Sequence, residues 1–164
     1  MPPTFGRHRT HDGLTAYAER GALSFEGNLA AARQAMVRDT LADIDARPEG
    51  SRLMLAHRRV DVAELNAAIR NVRRVRGELQ DEHSYQTSEG ERAFAPGDRL
   101  LFRENNRDLG VKNGMLDMVE NAEPGRLEIR LDSAKGPGIG RRVSVSMAEY
   151  AAVDRGYAVT IHKA

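Results

Sequence analysis

The hydrophobic pattern changes period near Gly77, and that change restricts the fold more than any other feature of the chain. Upstream, Leu29, Ala32, Met36, Val37, Leu41 and Ile44 recur about once per helical turn, which predicts a helix from Leu29 to Ala46 capped by Asn28 and closed by Pro48-Glu49-Gly50. A shorter helix is expected from Leu14 to Arg20, ended by Gly21, with a brief strand over Ala22-Leu23-Ser24-Phe25. The apolar run Leu53-Met54-Leu55-Ala56 suits a strand covered on both faces, as in a parallel sheet. After it, Asp61 with Glu64 reads as a capping box opening a third helix. Val62, Leu65, Ile69 and Val72 form its buried stripe, and Arg70, Arg73, Arg74 and Arg76 point outward.

Downstream the segments become short and alternating: Asp98 to Arg103, Met115 to Asn121, Arg126 to Leu131, and Arg142 to Ser146. Pro96-Gly97-Asp98, Asn113-Gly114 and Pro124-Gly125 mark turns between them, a texture that predicts a small antiparallel barrel. Tyr157 to Ile161 is strand-like again, and because the sequence stops at Ala164 an excised fragment is expected; the first ten or so residues read as frayed. Strand, arginine-bearing turn and helix make an α/β unit, whose ligands lie beyond the carboxyl end of the strand, where His57, Arg58 and Arg59 stand.

Composition narrows the chemistry. The 164 residues suffice for one domain with a small insertion, and a chain of this size buries roughly 68–70% of its unfolded surface without disulfides or metals. With no cysteine, disulfide scaffolds, thiolate metal sites and thiol nucleophiles are excluded. No apolar run reaches the length of a membrane span and no signal peptide opens the chain, so a cytoplasmic location away from membranes is expected. The net charge of +1 hides an uneven distribution. From Arg52 to Arg76 seven arginines stand against Asp61 and Glu64, whereas Gly77 to Glu91 holds five carboxylates and neither Lys nor Arg. That asymmetry permits either an anion-binding face or a solvated helix surface beside an acidic linker.

Catalytic motifs are missing. No GxxxxGK[ST] phosphate loop occurs, and its nearest mimic, Ser133 to Arg142, joins two expected strands as a hairpin loop. His8, His11 and Asp12 lack a second ligand cluster and read as surface residues, so no metal site is expected, and the GxSxG, HExxH and EF-hand patterns are absent. What remains is polar and basic: His57-Arg58-Arg59, the loop from Asn105 to Gly114, and Thr160-Ile161-His162-Lys163. Such donors at loop ends serve phosphate oxygens and read nucleic-acid backbone without reading sequence.

Three strings, RLMLAHRRVDVAELNAAIR (52–70), APGDRLLFRENNRDLGVKNGMLDMVE (95–120) and DRGYAVTIHKA (154–164), together resemble the carboxy-terminal motor domain of RecD-like superfamily 1 DNA helicases, and most closely the helicase part of Ti-type conjugative relaxases. The resemblance runs from about Tyr17 to the end. It implies an α/β fold in which a partial RecA-like parallel sheet with helices (1–80) is interrupted by a small antiparallel SH3-like β-barrel with an acidic linker (81–152), the chain returning to the sheet at 153–164. It also implies single-stranded DNA as partner, contacted by Thr160, His162 and Lys163, by His57 and Arg58 at the strand-to-helix turn, and by Asn105, Asn106, Lys112 and Asn113 in the barrel loop.

In that family a Gln-Gly pair follows the TIHK string and the Walker motifs precede this region. Neither is in the chain, so the resemblance implies no cofactor here, with ATP and magnesium belonging to the parent helicase. No ATPase or unwinding activity is expected of the chain alone. The alternative is a docking module that binds other domains of the parent relaxase or a transfer partner.

Overall fold

A computed structural model of the chain describes residues 10–132 and 140–161. The chain forms two compact units, up to Met36 and from Val37 onward. In the first, helix α1 (Thr10–Glu19) ends at Gly21, whose φ of +65° is in the left-handed region that favours glycine. The N–H groups of Gly21 and Ala22 return to the carbonyls of Ala18 and Tyr17. The strand expected over Ala22 to Phe25 does not form, since no neighbouring strand supplies a ladder and Phe25 lies 87% exposed. Helix α2 (Leu29–Ala46) starts in this unit with the expected cap, Asn28 Oδ1 accepting the Ala31 N–H at 2.9 Å, and runs into the second. Near its end Asp43 accepts from both Arg47 and Arg52, anchoring the chain that follows.

In the second unit, β1 (Met54–Ala56) leads into α3 (Arg59–Val75), and β9 (Ala158–Thr160) lies parallel beside β1 with Ala56 opposite Thr160. The parallel pairing is as expected, but the double-sided covering is not. Met54 is buried while Leu53 and Leu55 are 41% and 51% exposed, because α3 packs on one face of this two-stranded sheet. The start of α3 also departs from the capping-box reading. The helix begins two residues before Asp61, with extended Arg58 as its boundary residue and no side-chain cap. Asp61 instead sits in the first turn, where a carboxylate suits the helix dipole, and accepts both Arg58 Nε and Nη2 at 2.8 and 2.9 Å.

The remaining strands are β2 (His83–Thr87), β3 (Gly90–Phe94), β4 (Arg99–Phe102), β5 (Leu116–Glu123), β6 (Arg126–Leu131), β7 (Arg141–Ser146) and β8 (Val153–Arg155). Five form one antiparallel sheet in the order β7-β6-β5-β4-β8, and among the described residues β2 pairs only with β3. Period-2 alternation explains the core: Leu127, Ile129 and Leu131 are fully buried on β6 while Glu128 and Arg130 face outward. The hairpin, read from sequence as part of an acidic linker, adds Tyr85 and Phe94 to the same core, their rings 6.1 Å apart.

This is not the closed barrel expected. The sheet is open, with β7 and β8 at its edges. Side-chain packing of the hairpin, together with the bond from Ser88 N–H to the Ala151 carbonyl at 2.9 Å, takes the place of a continuous ladder.

A second correction concerns the arginines of α3. Arg70 is 5% exposed rather than outward, its Nε donating to Asp98 at 3.1 Å and its Nη2 to Glu82 at 2.9 Å. Arg73 donates to Glu78, to the Gly97 carbonyl and to the Tyr157 hydroxyl, and its guanidinium lies 5.7 Å from the centre of the Tyr157 ring. Arg74 pairs with Glu82 and Arg76 with Asp45 and Glu78. Arg74 and Arg76 thus stay exposed as expected, each beside a carboxylate, whereas Arg70 and Arg73 turn inward and join α3 to the Gly97-Asp98 turn that leads into β4. Asn66 completes the join: its Oδ1 accepts the N–H groups of Tyr157 and Ala158 at 2.9 Å, and its Nδ2 donates to the Ala158 carbonyl at 3.0 Å.

Candidate nucleic-acid interface

Because β1 and β9 run parallel, their carboxyl ends emerge at the same edge. The Ile161 N–H donates to the Ala56 carbonyl at 3.1 Å, so the His57-Arg58 turn and the Thr160-Ile161 strand end are neighbours. Two segments separated by about a hundred residues of sequence thus meet at the place where ligands of open α/β sheets bind. Arg58 is held in one orientation by Asp61, whose hydrogen bonds and charge raise the arginine's pKa, and its side chain remains 53% exposed. His162 and Lys163, expected at the same edge, lie outside the described residues, as do His8 and residues 133–139 of the glycine-bearing loop.

Beside this edge opens a cleft of about 840 Å³ between the β1-α3-β9 layer and the antiparallel sheet. Thr160, Val159 and Arg59 line one wall. Leu101, Arg103, Leu116 and Arg155 line the other, with Arg92, Glu89 and Asp154 beside them and Asn113-Gly114 at the rim. The charged groups on the antiparallel side are mostly paired: Arg92 Nε with Asp154 at 2.9 Å, and Arg103 with Glu89 at 3.2 Å and Asp154 at 3.9 Å. Arg155 differs. Its Nε is buried without a hydrogen-bond acceptor, and burial together with the nearby Arg70 cation holds its pKa below the ordinary arginine value. Four arginines against two carboxylates give the cleft lining an excess of positive charge.

The loop residues separate. Asn113 reaches the cleft, but Asn105, Asn106 and Lys112 do not line it. Asn106 builds the loop, bridging Val111 through its backbone and accepting the Leu109 N–H at 2.9 Å through Oδ1. Asn105 Oδ1 accepts the Asn113 N–H at 2.9 Å, and so positions the one asparagine of the group that does line the cleft. Sequence reasoning missed Arg92, Arg103 and Arg155. Each stands away from the basic run, and no local pattern marks a residue brought to the cleft by a distant strand pairing. Among the described residues no group of three His, Asp or Glu side chains could hold a metal ion, and no helix is long and apolar enough to cross a membrane.

No protein-family model matches the chain. Partial likeness extends to two solved structures of the Bacteroides Pif1 helicase. The unliganded form is 18% identical with a TM-score of 0.46, covering 66% of this chain and 41% of that one. The complex with ADP-AlF3 and single-stranded DNA is 17% identical with a TM-score of 0.48, covering 90% and 38%. The sequence similarity is stronger. The conjugal transfer protein TraA of Agrobacterium fabrum is 34% identical over 157 residues, and its counterpart in Rhizobium radiobacter 35% identical over 158, each alignment covering 96% of this chain. The chain spans 14% of the length of these relatives. Over nearly all of its residues, then, the chain is homologous to one segment of the TraA conjugal transfer proteins.

Proposed function

We propose that the chain is a DNA-gripping segment of a conjugative relaxase-helicase that works in the cytoplasm and makes sequence-blind contacts to single-stranded DNA backbone. In this reading β1, α3 and β9 belong to a RecA-like layer, and β2 to β7 form an SH3-like insertion (81–152) between the parts 1–80 and 153–164 of that motor, the returning part adding β8 to the edge of the inserted sheet before it reaches β9. The observation that carries it is the cleft: Thr160 at the carboxyl end of β9 and Arg59 at the start of α3 share a space of about 840 Å³ with Arg92, Arg103 and Arg155, and the His57-Arg58 turn lies beside it without lining it. His57, Arg58, Thr160 and Asn113, with His162 and Lys163 beyond Ile161, are the proposed phosphate donors, and Asn105 and Asn106 shape the loop that carries Asn113 and Lys112. Aromatic residues are only 5% of the chain, so charge rather than base stacking supplies the affinity.

ATP and magnesium are assigned to other parts of the parent: the sequence holds no phosphate-loop string, among the described residues no carboxylate cluster could hold a metal ion, and no ATPase activity is expected of the segment alone. Fluorescence anisotropy with a labelled oligothymidylate at about 50 and about 200 mM salt tests the reading. Binding that weakens steeply with salt and ignores base composition supports it, and salt-independent binding or none at all overturns it.

A second reading, docking onto other domains of the same transfer protein, is favoured by the exposed apolar side chains of Leu53, Leu55 and Ile161 along the β1-β9 layer. Under it, Lys112→Ala with Asn113→Ala leaves oligonucleotide binding unchanged but abolishes a pull-down with the remaining domains.

A further inference from the structure

Arg155 closes β8 opposite Leu100, and its backbone is fixed: its N–H donates to Asp154 Oδ1 at 2.8 Å, and the next residue, Gly156, donates to the Arg99 carbonyl at 2.9 Å. Gly156 is required there, since a Cβ would lie 2.9 Å from both the Leu100 carbonyl carbon and Leu116 Cδ2. The side chain therefore leaves a fixed strand end and lines the cleft, with its torsions unrestrained by any bond to its Nε. Around it Arg70 is bonded to Asp98 and Glu82, Arg92 to Asp154, and Arg103 to Glu89. Among the described residues no carboxylate is bonded to Arg155, and its Nε donor is shut away from solvent without an acceptor. Burial and the Arg70 and Arg92 cations disfavour its charge, which Asp98 and Asp154 offset only at a distance. An incoming anion would relieve this once the guanidinium turns its Nε edge toward the cleft, because that edge presents Nε–H and Nη–H side by side to two oxygens of one group.

We propose that Arg155 forms a phosphate subsite in the floor of the cleft, gripping one phosphodiester of a single strand whose neighbouring phosphates lie toward Thr160 and Asn113. A phosphodiester fits better than a carboxylate from a protein partner. Both cleft walls carry donors, and the apolar Leu101, Leu116 and Val159 between them offer surface to sugar and base. The subsite rests on the DNA reading for the source of the phosphate, but its existence can be tested separately.

The full chain is titrated with an oligothymidylate across a salt series as wild type, Arg155→Gln and Arg155→Lys. Loss of one single-strand phosphate contact lowers the slope of log K against log salt by about 0.7, so Arg155→Gln shows that loss and binds roughly five- to tenfold more weakly at low salt, while Arg155→Lys keeps the slope. Unchanged slope and affinity in Arg155→Gln, with wild type still binding, overturn the subsite and leave the DNA reading standing. Arginine Nε–H spectra of the wild-type chain, with the Arg155 signal assigned by its absence in Arg155→Lys, provide a readout that needs neither oligonucleotide affinity nor a stable glutamine variant. A saturable shift on adding the dinucleotide pTpT, not reproduced by sodium chloride of equal ionic strength, supports the subsite even where the oligonucleotide fails to bind. No shift, or a shift only with an oligoglutamate peptide, overturns it.

Discussion

The phenol of Tyr157 donates to the buried carboxylate of Asp98 at 2.7 Å, across 59 residues of sequence. Asp98 opens β4 in the antiparallel sheet and Tyr157 precedes β9 in the parallel one, so this bond joins the two layers that form the cleft. It is reinforced on both sides. Asp98 Oδ2 accepts from Arg70 and from the Ala95 N–H, and the Tyr157 oxygen accepts from Arg73 Nη1 at 2.8 Å. Burial and the Asp98 charge push the Tyr157 phenol well above its ordinary pKa, so the hydroxyl stays protonated and able to donate.

Removing only the hydroxyl, Tyr157→Phe, leaves Asp98 Oδ1 and one Arg73 donor short of a partner and is expected to destabilise the chain by about 1–3 kcal/mol. Asp98→Ala is worse, at about 3–5 kcal/mol, because it removes one acceptor at once from the Tyr157 hydroxyl, the Ala95 N–H and buried Arg70, which is left with Glu82 alone. Urea denaturation midpoints of the two variants check both the magnitudes and their order.

Asn66 meets two N–H groups and one carbonyl with a single carboxamide. Asn66→Leu fills similar volume but orphans all three, so a loss of about 3 kcal/mol is expected. Asn66→Asp keeps the acceptors, loses the donor and buries a charge, so it should also destabilise, and increasingly as pH rises above the carboxylate range. Thermal melts at two pH values distinguish these outcomes.

The charge balance of the cleft makes a counter-intuitive prediction. Asp154→Asn keeps an oxygen for the Arg155 N–H but releases Arg92 and Arg103 from their shared anion. Oligonucleotide affinity is expected to rise about threefold at low salt, and the gain to vanish as salt shortens the reach of the added positive charge. Anisotropy titrations of this variant beside wild type measure it.

Stability should fall at both ends of the pH scale. Burial pushes the Tyr85 phenol up from 10.0 to about 12, and the phenol donates to the Glu123 carbonyl at 2.8 Å. The folded chain keeps a proton that the unfolded chain gives up. The stabilisation is therefore complete below the unfolded pKa and is lost as pH rises from about 10 to about 12, a loss of about 2–3 kcal/mol. At the acid end the partners act in the opposite sense. Hydrogen bonds from Arg52 and then Arg47 hold the Asp43 carboxyl below 3.8, and Arg70 holds Glu82 below 4.5. That stability is present above the ordinary carboxylate range and disappears as pH falls below it. Urea midpoints measured across the pH scale check both arms.

Much of the architecture was legible because its signals are local. The bounds of α2 follow from an unbroken helical period between Asn28 and Pro48, and those of β6 from strict alternation between Pro124-Gly125 and Asp132. The β2-β3 hairpin was illegible for the opposite reason. His83-Ser84-Tyr85-Gln86-Thr87 carries one large apolar side chain, and its acidic neighbours read as linker until Tyr85 and Phe94 are seen packed on the distant sheet. The strand ends bearing His57 and Thr160 were identified as candidate donors, but the arginine wall was not, since its members come from β3, the end of β4 and β8.

From its sequence alone the chain determined its helices, most of its strands and the strand character of Tyr157 to Ile161, because hydrophobic periodicity and turn residues act over a few positions, whereas the return of that strand to the sheet was implied by the family resemblance. Only the tertiary structure decided what each charge does. An arginine has the same formal charge wherever it stands, but its availability depends on which carboxylates folding brings within reach. Asp98 and Glu82 engage Arg70, and among the described residues no carboxylate is bonded to Arg155, a difference made by strand pairings between residues far apart in the chain.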